Sequence, residues 1–139
     1  MIIETVRAVL LDDAPILAAF AERIYPTQLP DAPTYPAMVL TKVSGRGEYD
    51  FEGDAGVEDA RVQCDIYCET GMSDLVALRN LVRRRLSGFV GGPASSPTSC
   101  AIQECKCITD SDFPVSDTER AGPRLRRRLL EFIVWNTEV

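Results

Sequence analysis

The stretch that decides the fold runs from Asp59 to Phe89 and opens with a strict alternation, Arg61-Val62-Gln63-Cys64-Asp65-Ile66-Tyr67-Cys68. An alternation of period two is typical of a strand that buries one of its faces. We predict that the buried face carries the apolar set, Val62, Cys64, Ile66 and Cys68. The polar set, Arg61, Gln63, Asp65 and Tyr67, then lies on the opposite face.

The second half of the same stretch has a different period. Apolar residues recur every three or four positions, at Leu75, Leu78, Val82, Leu86 and Phe89. This spacing predicts an amphipathic helix with Ser73 as its N-cap and Gly88 as its end. A strand followed directly by such a helix predicts a sheet layer with a helical layer packed against it.

The composition is typical of one globular domain, which we predict to span residues 1–139. Hydrophobic residues make up 45% of the chain and charged residues 26%, and this length suffices for a hydrophobic core. The apolar run from Met1 to Leu11 contains Glu4 and Arg7 and is much shorter than the roughly 20 residues of a membrane span. We therefore expect neither a signal peptide nor a membrane segment.

Charge is distributed unevenly along the chain. The net charge of −6 disfavours a broad surface for duplex nucleic acid. Six acidic residues and no basic residue occur between positions 48 and 59, whereas arginines are concentrated at 83–85 and 120–128. This segregation leaves two interpretations open, namely solvated charge on exposed faces and pairing between copies of the chain.

Two helices and an extended segment are predicted before the central unit. Ile2 to Leu11 has helical spacing, and Asp12-Asp13-Ala14-Pro15 closes that helix and opens a short second one that buries Leu17 and Phe20. Four prolines between positions 26 and 36 then impose an extended, irregular path. Ala37 to Ser44 follows as a strand.

The residues from Ser44 to Glu58 are predicted to form a long acidic hairpin or loop that projects from the sheet. Glycines flank the acidic residues, and only Tyr49 and Phe51 could enter a core. These two aromatic residues either pack on each other or contact a partner.

Two strands are predicted after the helix. Ser99 to Thr109 alternates, but the pattern does not decide whether Cys100, Ile102 and Glu104 or the alternate set, Ala101, Gln103, Cys105 and Cys107, is buried. Asp110 to Pro123 has the composition of a turn. Leu125 to Asn136 then forms the last strand, and its apolar residues on both faces indicate that it is covered on both sides, by helices and by a second layer such as a neighbouring subunit.

The sequence carries no catalytic signature, and we expect no enzyme activity. Histidine is absent, and no phosphate-binding glycine motif is present. The five cysteines have no usual zinc spacing, so we predict small buried hydrophobic residues and neither a metal nor a cofactor.

A sequence of blocks nevertheless resembles the tail-completion, or tail-terminator, family of long-tailed bacteriophages and gene transfer agents. The blocks are Arg23-Ile24-Tyr25-Pro26 with Leu29-Pro30, Tyr35-Pro36-Ala37-Met38-Val39-Leu40, the central strand and helix, and Leu129-Leu130-Glu131-Phe132-Ile133-Val134-Trp135. Their order and spacing cover nearly the whole chain. The cysteine-rich segment from Cys100 to Cys107 and the arginine-rich start of the last strand match no family motif.

The resemblance implies a structural protein of the virion neck that is assembled in the bacterial host cytoplasm. It implies a hexameric ring that caps the head-proximal end of the tail tube, stops polymerisation of the tail-tube protein and meets the head connector or stopper protein. Together with the residue patterns, it gives the predicted fold class, α/β (α+β), with a mixed, mainly antiparallel sheet, helices packed on one face and a long projecting β-hairpin loop.

Two sets of residues are candidates for contacts in such a ring. The first would contact the tube or line the channel, where acidic groups let DNA pass without specific binding, and it comprises Glu48, Tyr49, Asp50, Phe51, Glu52 and Asp54. The second would contact an adjacent subunit and comprises Arg124, Arg126, Arg127 and Arg128.

Two other functions stay open. A head-completion stopper, another neck component, has the same size and long loops. A cytosolic module that binds a metal or a ligand would depend on the cysteines.

Overall fold

A computed structural model describes residues 2–50, 53–93, 100–113 and 125–138. Within these residues the chain forms three helices and five strands. In chain order they are α1 (Ile2–Leu11), α2 (Ala14–Phe20), β1 (Ile24–Pro26), β2 (Ala37–Asp50), β3 (Gly53–Cys68), α3 (Met72–Leu86), β4 (Cys100–Phe113) and β5 (Arg126–Glu138).

The five strands form one mixed sheet in the order β1-β2-β3-β5-β4. β1 pairs with β2 in parallel, and every other neighbouring pair is antiparallel. Apolar residues of all three helices join those of the strands in one buried core. The predicted fold class, an α+β fold with a mainly antiparallel sheet and a helical layer on one face, is therefore confirmed.

The central strand and helix occur where the alternation and the helical spacing predict them. The predicted apolar face of β3 is buried at all four positions, Val62, Cys64, Ile66 and Cys68. The helix starts two residues earlier than predicted, and its N-cap is Gly71 and not Ser73. Gly71 has φ +138°, a conformation that favours glycine, and this residue makes the sharp turn from β3 into α3.

Each of the two candidate faces of β4 contributes buried residues, because the set of alternating positions that is buried changes along the strand. A β-bulge interrupts the register between Ile102 and Glu104. The extra residue shifts the alternation by one position, so Cys100, Ile102 and Cys105 are all buried. The strand also extends to Phe113, which corrects the predicted turn at Asp110, while residues 114–123 lie outside the described residues.

β5 buries Leu130, Phe132 and Val134 in the core that it shares with the helices. On the other face Leu129 is buried, whereas Ile133 and Trp135 are half-buried. The second cover for this face stays a prediction.

The first two helices follow the prediction with one correction. α1 has the predicted bounds, and α2 buries Phe20 as expected. Leu17 is exposed, however, and Ile16 is buried in its place. A short strand, β1, ends at the first proline of the proline-rich segment, and the sequence pattern did not indicate it.

A cluster of charged side chains ties α3 to the two last strands. Asp110 of β4 accepts hydrogen bonds from Arg79 Nε at 2.7 Å, Arg83 Nη1 at 3.2 Å and Arg128 Nε at 2.8 Å. Arg128 also donates to Asp112 at 2.9 Å. Burial opposes ionisation of Asp110, but the hydrogen bonds from Arg79 and Arg128 outweigh it and hold the pKa of this carboxyl below its ordinary value.

The first prediction concerns the core face of β3. Ile66→Ala removes a fully buried side chain and should lower the free energy of unfolding by about 2–5 kcal/mol, because the cavity cannot fully collapse. Val43→Ala, at an exposed position of β2, is the control and should change it by less than about 1 kcal/mol. Urea unfolding measures both, and equal costs would contradict the assignment of the buried face.

The second prediction concerns the carboxylate of Asp110. Asp110→Asn should lower the free energy of unfolding by about 1–3 kcal/mol, because three arginines lose their charged acceptor. Since the pKa of Asp110 is lowered in the folded state, its contribution is fully present above the ordinary value of 3.8 and is lost as the pH falls through the folded-state pKa. The free energy of unfolding of the variant should therefore lack the decrease that this carboxyl causes at acid pH.

Asp112→Asn is the matched control. The side chain of Asp112 is half-exposed, and its ion pair within the described cluster is with Arg128. It should cost less than about 1 kcal/mol. Chemical unfolding between pH 3 and pH 7 measures both variants. A pH profile of Asp110→Asn identical to that of the unmodified chain would refute the assignment.

Candidate functional site

The acidic segment lies at the far end of the β2–β3 pair, and we call residues 48–56 the arm. The two strands pair from Ala37 opposite Tyr67 to Asp50 opposite Gly53. β5 follows β3 only as far as Val57, so within the described strands Gly53 to Gly56 can pair with β2 alone. The projection of the arm from the sheet stays a prediction.

The structure describes the backbone of four residues of the first candidate set. Glu48, Tyr49 and Asp50 belong to β2, and Asp54 belongs to β3 opposite Tyr49. Phe51 and Glu52 lie outside the described residues. The four described members of the set therefore lie on the paired strands β2 and β3, and the contacts of the set stay predictions.

Two ion pairs form where the arm joins the sheet. Lys42 Nζ lies 2.9 Å from Glu58 Oε1, and Arg46 lies 3.7 Å from Asp59. The first pair crosses Gly45, where a Cβ atom would lie 2.8 Å from both Glu58 Oε2 and Lys42 Cε. Glycine thus leaves room for this ion pair to lie flat against the strand.

These pairs leave the charge of the arm itself unchanged. Lys42 and Arg46 are the basic residues between positions 41 and 60, and each lies beside one of the two acidic residues that follow the arm. The arm proper contains four acidic residues and no basic residue. It therefore remains the most acidic segment of the β2–β3 pair.

The arginines of the second candidate set do not form one surface. Arg124 lies outside the described residues, and Arg126 is half-buried opposite Cys68. Arg127 and Arg128 fall on opposite faces of β5, because successive residues of a strand alternate. Both have carboxylate partners in the same chain, Asp65 for Arg127 and the Asp110 cluster for Arg128.

The partner of Arg127 corrects the predicted polar face of β3. Asp65 is only 4% exposed, although it lies on the face opposite the helices. Arg127 Nε donates to Asp65 Oδ1 at 2.9 Å, and Gln63 Nε2 donates to Asp65 Oδ2 at 2.8 Å. These bonds, together with the Tyr67 ring 5.8 Å from the Arg127 guanidinium, cover the carboxylate.

The ionisation of Tyr67 reflects this environment. Burial raises the pKa of the Tyr67 hydroxyl, while Arg127 opposes the rise and Asp65 adds to it. The phenol therefore stays neutral at neutral pH. This network holds β3 and β5 together on the open face of the sheet.

The arginines of α3 are the charged residues whose role the sequence analysis missed. Arg79 and Arg83 are one helical turn apart, and both reach Asp110. The spacing of four residues was a visible signal that they share one side of the helix. The acidic partner was not visible, because it lies in a strand whose end was predicted to be a turn.

The cysteines have the properties of core residues. All five are free, and all except Cys107 are buried. Burial raises the pKa of Cys64 well above its ordinary value, and burial followed by the nearby Cys107 raises that of Cys105 to about 12. In the described part of the chain, no group of three or more histidine, cysteine, aspartate or glutamate side chains could hold a metal ion.

Among the described residues, no helix has both the length and the apolar character needed to cross a membrane.

Comparison with known proteins identifies the family. The model of the family described as tail completion protein gp17 matches residues 4–136. No curated protein matches the chain.

A solved structure, titled "Virion of native gene transfer agent (GTA) particle", contains a chain with the same fold. The TM-score is 0.73 at 17% sequence identity, and the alignment covers 97% of this chain and 93% of that chain. At this identity the likeness concerns the fold. The family match, however, extends over almost all of the described helices and strands, and the chain therefore belongs to the tail completion protein gp17 family, a family of structural virion proteins.

Proposed function

We propose that this protein is a tail terminator, which forms a ring on the head-proximal end of a tail tube. In this proposal the ring stops polymerisation of the tail-tube protein and joins the tail to the connector or stopper protein of the head. The observation that carries the proposal is the family match over residues 4–136. The gene transfer agent particle whose chain shares the fold adds support, because that particle is a virion.

The distribution of charge supports a channel role for the arm. A ring on a tail tube surrounds the path of the DNA, and its inner surface must not bind the phosphates. Four acidic residues without a basic residue repel a polyanion over about one Debye length, roughly 10 Å. We assign Glu48, Tyr49, Asp50, Phe51, Glu52 and Asp54 to contact with the tube or with the lumen of the channel.

A hexameric ring requires a heterologous contact, in which two different surfaces of the chain meet. The arginines at the start of β5 are one candidate for such a surface. Since Arg127 and Arg128 have carboxylate partners within the chain, this part of the proposal depends chiefly on Arg124 and Arg126.

The third prediction tests the ring and its partner. Light scattering over a concentration series, with and without tail-tube protein, should give a mass near six copies of the chain, either alone or when the tube protein is present. Tubes assembled with this protein should also be shorter by electron microscopy than tubes assembled without it, because the ring stops growth. The core variant Ile66→Ala, which is expected to destabilise the fold, is the control. Loss of the ring in this variant would show that ring formation needs the folded chain.

Two outcomes would refute the proposal. A chain that stays monomeric at every concentration, with and without tube protein, would exclude a terminator. Binding to the head connector with no effect on tube length would instead support the head-completion stopper.

A further inference from the structure

The sheet has a partly unpaired strand on each of its two sides. On one side β1 covers β2 as far as Leu40, and beyond that residue no strand of the described chain lies on the outer edge of β2. On the other side the segment after α3 covers β4, where Gly91 exchanges two hydrogen bonds of 2.7 Å with Ile102 and Gly88 donates to Cys105 at 2.8 Å. Beyond Cys105 no described strand pairs with the outer edge of β4. An open strand edge is a surface to which another strand can be added.

The contacts with β1 show which residues of β2 direct their backbone groups outward. Met38 donates to, and Leu40 accepts from, the residues that flank β1, at 2.9 and 2.8 Å. Outward positions alternate along a strand, and the β-bulge that follows Lys42 shifts them by one residue. The outward positions beyond the bulge are therefore Gly45 and Gly47, and both residues are exposed.

The same analysis gives the outward positions of β4. Cys105 faces outward, because its carbonyl accepts the bond from the segment after α3. Alternation makes Cys107 the next outward residue, and the β-bulge between Cys107 and Thr109 shifts the positions that follow. Asp110 and Asp112 are therefore the outward residues of the open stretch.

These positions coincide when the sheet of one copy continues into that of another in the same orientation. β2 and β4 run in opposite directions, because three antiparallel pairings separate them. β4 of the first copy then meets β2 of the second in antiparallel, with Gly45 opposite Asp112 and Gly47 opposite Asp110. Each such pair can exchange two backbone hydrogen bonds. The stretches covered within each chain lie beyond opposite ends of this pairing.

The faces of the two edges agree in this register. Residues that lie opposite each other in a sheet point to the same face. Gly45 lies opposite Ala60 and Asp110 lies opposite Leu130, and both of these partners belong to the buried core. The helical layers of the two copies therefore lie on the same side of the joined sheet.

The side chains on that face are complementary as well. A Cβ atom at Gly45 would lie 2.8 Å from Lys42 Cε, so the Lys42 side chain lies over the position opposite Asp112. The side chains of Lys42 and Asp112 are 39% and 52% exposed, so both can reach a second copy. Gly47 has no side chain to collide with the arginines that gather at Asp110.

The two open edges cannot meet within one chain. β3 and β5 lie between β2 and β4, which separates the outer strands by three strand spacings, or roughly 14 Å. The edges also differ in sequence and direction, so their contact is heterologous. Such a contact leaves one open edge at each end of any row of copies, and closure into a ring pairs both.

We propose that residues 44–47 of one copy pair with residues 110–113 of the adjacent copy, so that the sheets of neighbouring copies join edge to edge. The inference rests on the proposed function, since it names the contact by which the proposed ring forms. The occupant of each open edge is thus a second copy of this chain.

Cross-linking in the full-length chain tests this register. Arg46 lies opposite Ser111 in it, as a pair without backbone hydrogen bonds, where the Cα atoms are about 4.5 Å apart. This separation lies within the roughly 4.4–6.8 Å that a disulfide spans. Under mild oxidation, and in conditions in which the unmodified chain forms rings, the double variant Arg46→Cys/Ser111→Cys should give a ladder of covalent species up to six copies on non-reducing gels.

Three control variants accompany this one. The single variants Arg46→Cys and Ser111→Cys account for the five native cysteines and should give no ladder. The double variant Arg46→Cys/Thr109→Cys moves one thiol two residues along the same strand. Because diagonal neighbours lie about 7–8 Å apart, its yield of cross-linked species should be lower by about tenfold or more.

A proline variant tests the backbone contact independently of the side chains. The N–H group of Gly47 faces outward, so Gly47→Pro removes no described backbone hydrogen bond from the single chain. In the ring it removes one donor of the contact, and association should weaken by about tenfold or more. Sedimentation velocity measures the association, and urea unfolding verifies that the variant is folded.

Four results would overturn the proposal while the unmodified chain forms rings. They are a double variant Arg46→Cys/Ser111→Cys without a ladder, an equal ladder from the shifted variant, a covalent dimer from Arg46→Cys alone, and normal rings from folded Gly47→Pro. The third result would indicate that two β2 edges meet. Absence of rings from the unmodified chain would instead refute the proposed function.

Discussion

Burial of one face of β3 beneath the helices is the constraint on which the rest of the structure depends. β3 pairs with β2 on one edge and β5 on the other, so its register sets the registers of both neighbours. A slip of one residue would turn Val62, Cys64 and Ile66 to the opposite face and bring their polar neighbours into the core. The helices share one buried core with this face of the sheet, so their packing depends on the same register.

Much of this frame could be predicted from the sequence, because the residues that specify it are close together in the chain. The alternation in β3 and β5 and the helical spacing of α1 and α3 are local patterns, and the structure follows them. The irregular path before β2 was also predicted, since proline restricts its own backbone and that of the preceding residue. The order of the strands in the sheet was not predicted, because no local pattern specifies which strands pair.

The remaining features depend on residues that are distant in sequence. The buried face of β4 could not be chosen, because the bulge after Ile102 changes the alternation within the strand. Asp65 has the pattern of an exposed residue, and its burial depends in part on Arg127, more than sixty residues later. Asp110 similarly gathers arginines from α3 and β5. For the candidate site, the sequence indicated the acidic arm, while the partners of Arg127 and Arg128 could be found only from the structure.

The pairing of β3 with β5 has a consequence for the order in which the chain folds. β2 and β3 are neighbours in sequence and can pair as soon as both have left the ribosome, but the second edge of β3 pairs with residues 126–137. Closing so long a loop is slow compared with forming a hairpin. Until the last strand is synthesised, the nascent chain carries an incomplete sheet with an open, apolar edge at its centre. Folding of this domain is therefore completed only after β5 has been synthesised, and β5 decides when its sheet is complete.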